Sequence, residues 1–190
     1  MTYSQRREVI ATLPYPALVA LAARCAERAV SEIRSLHPAA VAAHPDLQKG
    51  VDLLWRHAIH QNVDFKSEVE AVHAATSELI PQTVDEVVSD EGLRFAAQAV
   101  SLGLAMIWLP EKAVKYAASI GGFMINLVAS VYENADDVEN KERQWQDKAV
   151  ELLQANGNKP ITRSMFDKLP EYDRGPISKD YKMVVSHRQK

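Results

Sequence analysis

The chain has 190 residues, 47% apolar and 25% charged, which suits one domain with a sizeable core. A net charge of −3 and the lack of any dense Lys/Arg block argue against a nucleic-acid partner. The single cysteine, Cys25, excludes an internal disulfide and a cysteine-based metal cluster, and the N-terminus has no long apolar run of a secretion signal, so the expected location is cytoplasmic.

Residues 1–14 read as a lead-in with about one turn of helix. Pro14 and Pro16 bracket the entry to a first long helix over residues 17–36. Its apolar face is Leu18, Leu21, Cys25, Ala29, Ile33 and Leu36, with Arg24, Glu27, Arg28, Glu32 and Arg34 expected largely outside it. Cys25 reads as a small buried residue, since nothing beside it in sequence supplies an activating base. Pro38 and Pro45 mark a connection. Asp46 then caps a second helix over residues 47–60 whose buried side is Leu47, Val51, Leu54, Trp55, Ala58 and Ile59. A third helix, 64–79, turns Phe65, Val69, Val72 and Thr76 inward, and Thr83 with Glu86 makes a capping box over a short helical turn.

Residues 92–132 form the most apolar stretch, divided by Pro110 into two uncharged runs. Leu93, Ala97, Val100, Leu104 and Ile107 share one helix face, and Tyr116, Ile120, Phe123, Leu127 and Val131 share another. Pro110 cannot continue the first ladder but suits the first turn of the next helix. This spacing predicts a packed antiparallel helix pair at the centre of the fold, with Ser119, Gly121 and Gly122 as a small-residue patch where another helix can cross. A membrane hairpin is the rival reading, but spanning needs about 20 apolar residues, and Arg94, Glu111, Lys112 and Lys115 bound these runs more tightly than that.

After Tyr132 the chain becomes strongly charged. Asp136 or Asp137 is placed to cap a sixth helix that ends near Gln154, before Asn156-Gly157. Val138, Trp145, Ala149 and Leu152 give this helix one narrow apolar stripe, as expected on the outside of a bundle. From residue 156 the chain is irregular, punctuated by Pro160, Pro170, Gly175 and Pro176, with Met165, Phe166, Leu169, Tyr172, Ile177, Tyr181, Met183 and Val184 available to dock. This tail carries +4 in a chain of −3, which leaves −7 on the first 155 residues. The predicted architecture is therefore all-α: a single-domain bundle of about six helices over residues 1–155, and an irregular basic tail, 156–190, docked on it.

Few chemical motifs are present. His57 and His60 share a helix face in HAIH, yet no acidic or cysteine ligand accompanies them and the HExxH arrangement is missing. There is no GxSxG, Walker loop or GxGxxG. The acidic residues Glu133, Asp136, Asp137, Glu139 and Glu142 are the candidate binding face, the alternative being an ordinary solvated surface. The residues alone read as a soluble helical domain without catalytic residues, metal or cofactor.

Three stretches add to this. LVALAARCAERAVSEI (residues 18–33), LQKGVDLLWRHAIHQNVDF (47–65) and ENKERQWQDKAVELL (139–153) together resemble a family of bacterial all-helical immunity proteins encoded beside polymorphic toxins, and a related group of uncharacterised helical bacterial proteins. The resemblance covers about residues 15–155, boundaries being soft. It implies a cytoplasmic antitoxin that binds a cognate toxin domain as a monomer or weak homodimer and blocks it by occlusion, with no catalysis, cofactor, nucleic acid or membrane. By analogy with toxin domains that act on nucleic acid and are basic, a body of −7 suits such a partner. The alternatives are a metal-dependent helical enzyme using His57 and His60, and a helical module that self-associates through its apolar helices.

Overall fold

The computed structural model describes residues 3–60, 65–80, 91–179 and 181. Among them are eight α-helices: α1 (Tyr3–Ile10), α2 (Tyr15–Leu36), α3 (Pro38–Ala43), α4 (Asp46–His60), α5 (Lys66–Ser77), α6 (Glu91–Trp108), α7 (Ala113–Val131) and α8 (Ala135–Asn156). Short 3-10 turns lie at Pro110–Lys112 and Arg163–Lys168. The six long helices are those the periodicity predicts, and the all-α bundle is the observed architecture. The short helix α3 fills the stretch expected to be a plain connection. The Thr83–Glu86 capping box falls outside the described residues.

The apolar pair α6 and α7 packs together at the centre of the bundle, linked through the Pro110 turn. It shares that place with α2, which packs against α4, α6 and α7 at once. Val19, Ala20, Ala23, Ala26 and Val30, which lie outside the predicted face, are all buried. A helix covered on several sides needs small residues to let its neighbours approach, and its run of alanines supplies them. As a consequence Arg28 and Glu32, expected outside, are only 5% and 3% exposed. Conversely Ile59, expected in the core, is 41% exposed at the end of α4.

The small-residue patch on α7 acts at one position. Gly121 is where α8 crosses: a Cβ there would lie 2.7 Å from Gln146 Oε1, whereas Gly122 has nothing within 4 Å. The helix α8 starts after Asn134, and no side chain caps it; Asp136 and Asp137 instead sit in its first turn, facing its positive end. It ends at Gly157, whose φ of 57° is costly for other residues. The tail then returns across the bundle. Phe166 is fully buried and meets Trp55 edge-on at 5.8 Å, and Tyr132 pairs with Ile177 in an isolated antiparallel bridge. Met165, Leu169, Tyr172, Ile177 and Tyr181 are half-buried against the core; Met183 and Val184 lie outside the described residues.

One segment, Pro110–Val131, is long and apolar enough to cross a membrane by length and composition; half of it is buried in the bundle. The helices α4 and α6 cross at two glycines: a Cβ on Gly50 would collide with Val100 Cγ1, and one on Gly103 would lie 2.7 Å from Leu54 Cδ1. Val100 is stiff at χ1, so the helices themselves would have to separate. Gly50→Ala is expected to lose about 1–2 kcal/mol net, overpacking outweighing the gain in helix propensity. Urea unfolding should show a lower midpoint with unchanged slope; a stabilised variant would contradict the close crossing.

Candidate functional site

The five acidic candidates separate in the structure. Glu133, Asp136 and Asp137 are exposed where α8 begins, Asp137 with a partner in Lys141 at 2.7 Å. Glu139 is half-buried and pairs with Arg143 at 3.1 Å. Glu142 is a correction: it is completely buried and belongs to no surface. Its position explains this. Val138, Glu142, Trp145 and Ala149 recur at four, three and four residues, so Glu142 lies on the inward stripe itself. Trp145, also on that stripe, is 3% exposed, a core residue.

Around Glu142 the structure assembles a polar network that joins four parts of the chain. Arg28 Nη2 from α2 donates to Glu142 Oε2 at 3.0 Å, and its Nη1 donates to both oxygens of Glu171 in the tail at 2.8 and 2.9 Å. Its guanidinium lies 3.9 Å from the Trp145 ring centroid, a cation–π contact. Tyr172 donates to Glu142 Oε2 at 2.6 Å. Gln146 Nε2 donates to Glu142 Oε1 at 2.9 Å and to the Gly121 carbonyl at 3.0 Å, tying α8 to α7 at their close crossing. Beside this cluster, buried Glu32 accepts from Tyr132 Oη and from Arg174, the latter at 2.8 Å. Further along α2, Glu27 takes Arg24 at 2.8 Å and Arg163 of the tail.

The electrostatics follow from burial and pairing. Burial alone lowers the pKa of Arg28, but Glu142 and Glu171 more than offset it, so the pKa is raised and the charge held. Burial tends to raise Glu27; hydrogen bonds from Arg163 and Arg24 outweigh it and the carboxyl ends below its usual range. Tyr132 and Tyr172 are pushed upward by burial and by the adjacent carboxylates, so both stay protonated donors. Burial, then Glu142, lifts the Cys25 thiol to about 12, in keeping with a packing residue. Four arginines (24, 28, 163, 174) face four glutamates (27, 32, 142, 171), so the network is charge-balanced. Each oxygen of Glu32 and Glu142 already accepts a donor. Between the tail and α2 lies a cleft of about 410 Å³ lined by Ser31, Ser35 and this network.

The histidine pair does not converge. His57 is 9% exposed, and its ring meets Phe65 and Tyr15 edge-on, while His60 is exposed. Among the described residues no group of three or more His, Cys, Asp or Glu is arranged to hold a metal. Tyr15 donates to the Met106 carbonyl at 3.0 Å, so His57 Nε2 donates to Tyr15 Oη at 3.1 Å. His57 Nδ1 is then left without a partner.

No protein-family model and no curated protein matches this chain. Among solved structures it is similar to the crystal structure of a DUF416 family protein from Shewanella baltica OS155: 17% identity, a TM-score of 0.62, and coverage of 95% of this chain and 93% of that one. At that identity the likeness is one of fold, and it places the bundle and its returning tail with a helical bacterial protein.

Glu142→Leu leaves Arg28 Nη2, Tyr172 Oη and Gln146 Nε2 without their buried acceptor and is expected to cost about 3–5 kcal/mol in urea unfolding, whereas the double variant Arg28→Met/Glu142→Leu recovers most of the loss. A single-variant cost below about 1 kcal/mol would place the fold's organisation elsewhere. A second expectation concerns pH. Burial lowers the pKa of His57 in the folded chain, while the unfolded chain takes up its proton near pH 6.5. Stability should therefore be insensitive above about pH 6.5 and fall below it, because the unfolded state binds more protons. His57→Gln should flatten that acid-side slope in thermal melts, the remainder coming from His73, whose pKa burial also lowers.

Proposed function

We propose that this protein is an immunity protein, a cytoplasmic antitoxin that binds a cognate toxin domain and blocks it by occlusion, without catalysis or a cofactor. The observation that carries this reading is the edge where α8 begins beside the returning tail. Glu133, Asp136 and Asp137 are exposed there, with Glu171 and Asp173 exposed on the tail. The two segments are joined: Glu133 N donates to the Pro176 carbonyl at 3.1 Å, and Lys141, which pairs with Asp137, donates to the Asp173 carbonyl at 3.2 Å. The buried network ties both segments to the bundle.

Such an edge suits a basic partner. Complementary charge speeds encounter and rejects wrong partners, which is what neutralising a toxin inside its producer requires. Elsewhere the surface offers little apolar anchorage: among the described residues the one large hydrophobic side chain left exposed is Ile59. The apolar faces of α6 and α7 lie largely in the core, which weighs against self-association through them. The resemblance over residues 18–33, 47–65 and 139–153 supports the same reading.

The test is to co-express the chain with the C-terminal domain of the adjacent gene's product. Rescue of growth and co-purification at nanomolar affinity are expected. The triple variant Glu133→Lys/Asp136→Lys/Asp137→Lys should fold normally and weaken binding by on the order of tenfold or more, mainly through the association rate. Unchanged affinity removes this edge as the contact face. A neighbour that is harmless, or that does not bind, removes the immunity reading.

A further inference from the structure

The tail between Leu169 and Ile177 is held in an unusual way. Its ends are anchored: Phe166 is fully buried before it, and after it Ile177 bridges Tyr132 while Ser178 N donates to the Val131 carbonyl at 2.8 Å. Between the anchors, residues 170–176 bury no side chain fully, and of their apolar side chains Tyr172 alone is half-buried against the core. They line the 410 Å³ cleft and reach the bundle through three side chains, Glu171 to Arg28, Tyr172 to Glu142 and Arg174 to Glu32, and through two carbonyls, Asp173 to Lys141 and Pro176 to Glu133 N. Pro170 and Pro176 delimit the segment, and Gly175 turns it at φ 74°. Polar anchoring across a gap differs from packing. When such a segment lifts, water enters and rehydrates the charges it leaves, so opening does not require the bundle to unfold.

We infer that residues 170–176 are a latch, which opens as a unit while the helices stay folded and uncovers Arg28, Glu32 and Glu142 to water. The inference is independent of the toxin-binding reading, because it rests on the network and the cleft alone. Salt favours the open form, since it screens the pairs at the rim and solvates the charges set free.

Trypsin reports this opening directly. Cleavage at Arg174–Gly175 requires the Arg174 side chain to leave Glu32 and enter the protease, so the closed latch is protected there. The full-length protein is digested at low protease, the cut is followed by mass spectrometry, and its rate is divided by that of a free peptide of residues 168–179 under the same conditions. The expected ratio is well below one at low salt. It should rise by on the order of tenfold between about 0.02 and 0.5 M NaCl, and again in Glu171→Gln, whose site is 60% exposed and tolerant, while the far-UV circular dichroism stays native. Glu32→Gln should act in the same direction by releasing Arg174. A ratio near one, a ratio indifferent to salt and to Glu171→Gln, or cleavage only at the rate of global unfolding would each overturn the latch.

Discussion

The buried pair of Arg28 and Glu142 is the constraint on which the arrangement depends. Removing two ions from water costs several kcal/mol each, and their attraction offsets this only when the remaining donors and acceptors are also filled. Here Gln146, Tyr172, Glu171 and the Trp145 ring fill them. These groups come from three segments far apart in sequence, so one register of α2, α8 and the tail satisfies the pair. Apolar packing is tolerant of small shifts; an unpaired buried charge is not. Such a pair specifies an arrangement more than it stabilises one.

The same network explains why the tail belongs to the fold. Residues 159–177 place Ile161 and Phe166 in the core and pack Met165, Leu169, Tyr172 and Ile177 against it. Ionic contacts add to this hold, distributed along α2 at Glu27, Arg28 and Glu32. The acidic edge and the latch thus share one support. Carboxylates that face solvent at the start of α8 stand two helical turns from one that is sealed beneath the tail, and the difference between them is helix phase alone.

The likeness to a DUF416 family protein at 17% identity shows how little of this sequence the bundle itself demands. Helix phase, small residues at crossings and a few breaks suffice for the scaffold.

Much of the fold was legible in the sequence. Proline and glycine breaks and three-to-four-residue periodicity located the six long helices, because local backbone chemistry and amphipathicity act within one or two turns. They also predicted a close helix crossing in the patch of Ser119, Gly121 and Gly122 and the burial of Cys25, and placed Trp145 on an apolar stripe. What they missed has a common cause. Arg28, Glu32 and Glu142 sit at inward phase, but a charged residue on an inward stripe reads as a gap in the stripe; the seven-residue interval from Val138 to Trp145 was the available signal. Whether such a position is solvated or sealed depends on a partner more than 100 residues away, as with Arg28 and Glu142. The sequence by itself determined the helices, their breaks and their apolar faces, since those follow from neighbours along the chain. Only the tertiary structure decided that α2 is covered on several sides, that the tail closes over it and that Glu142 is lost to the surface, since burying a charge is settled by which distant groups arrive to neutralise it.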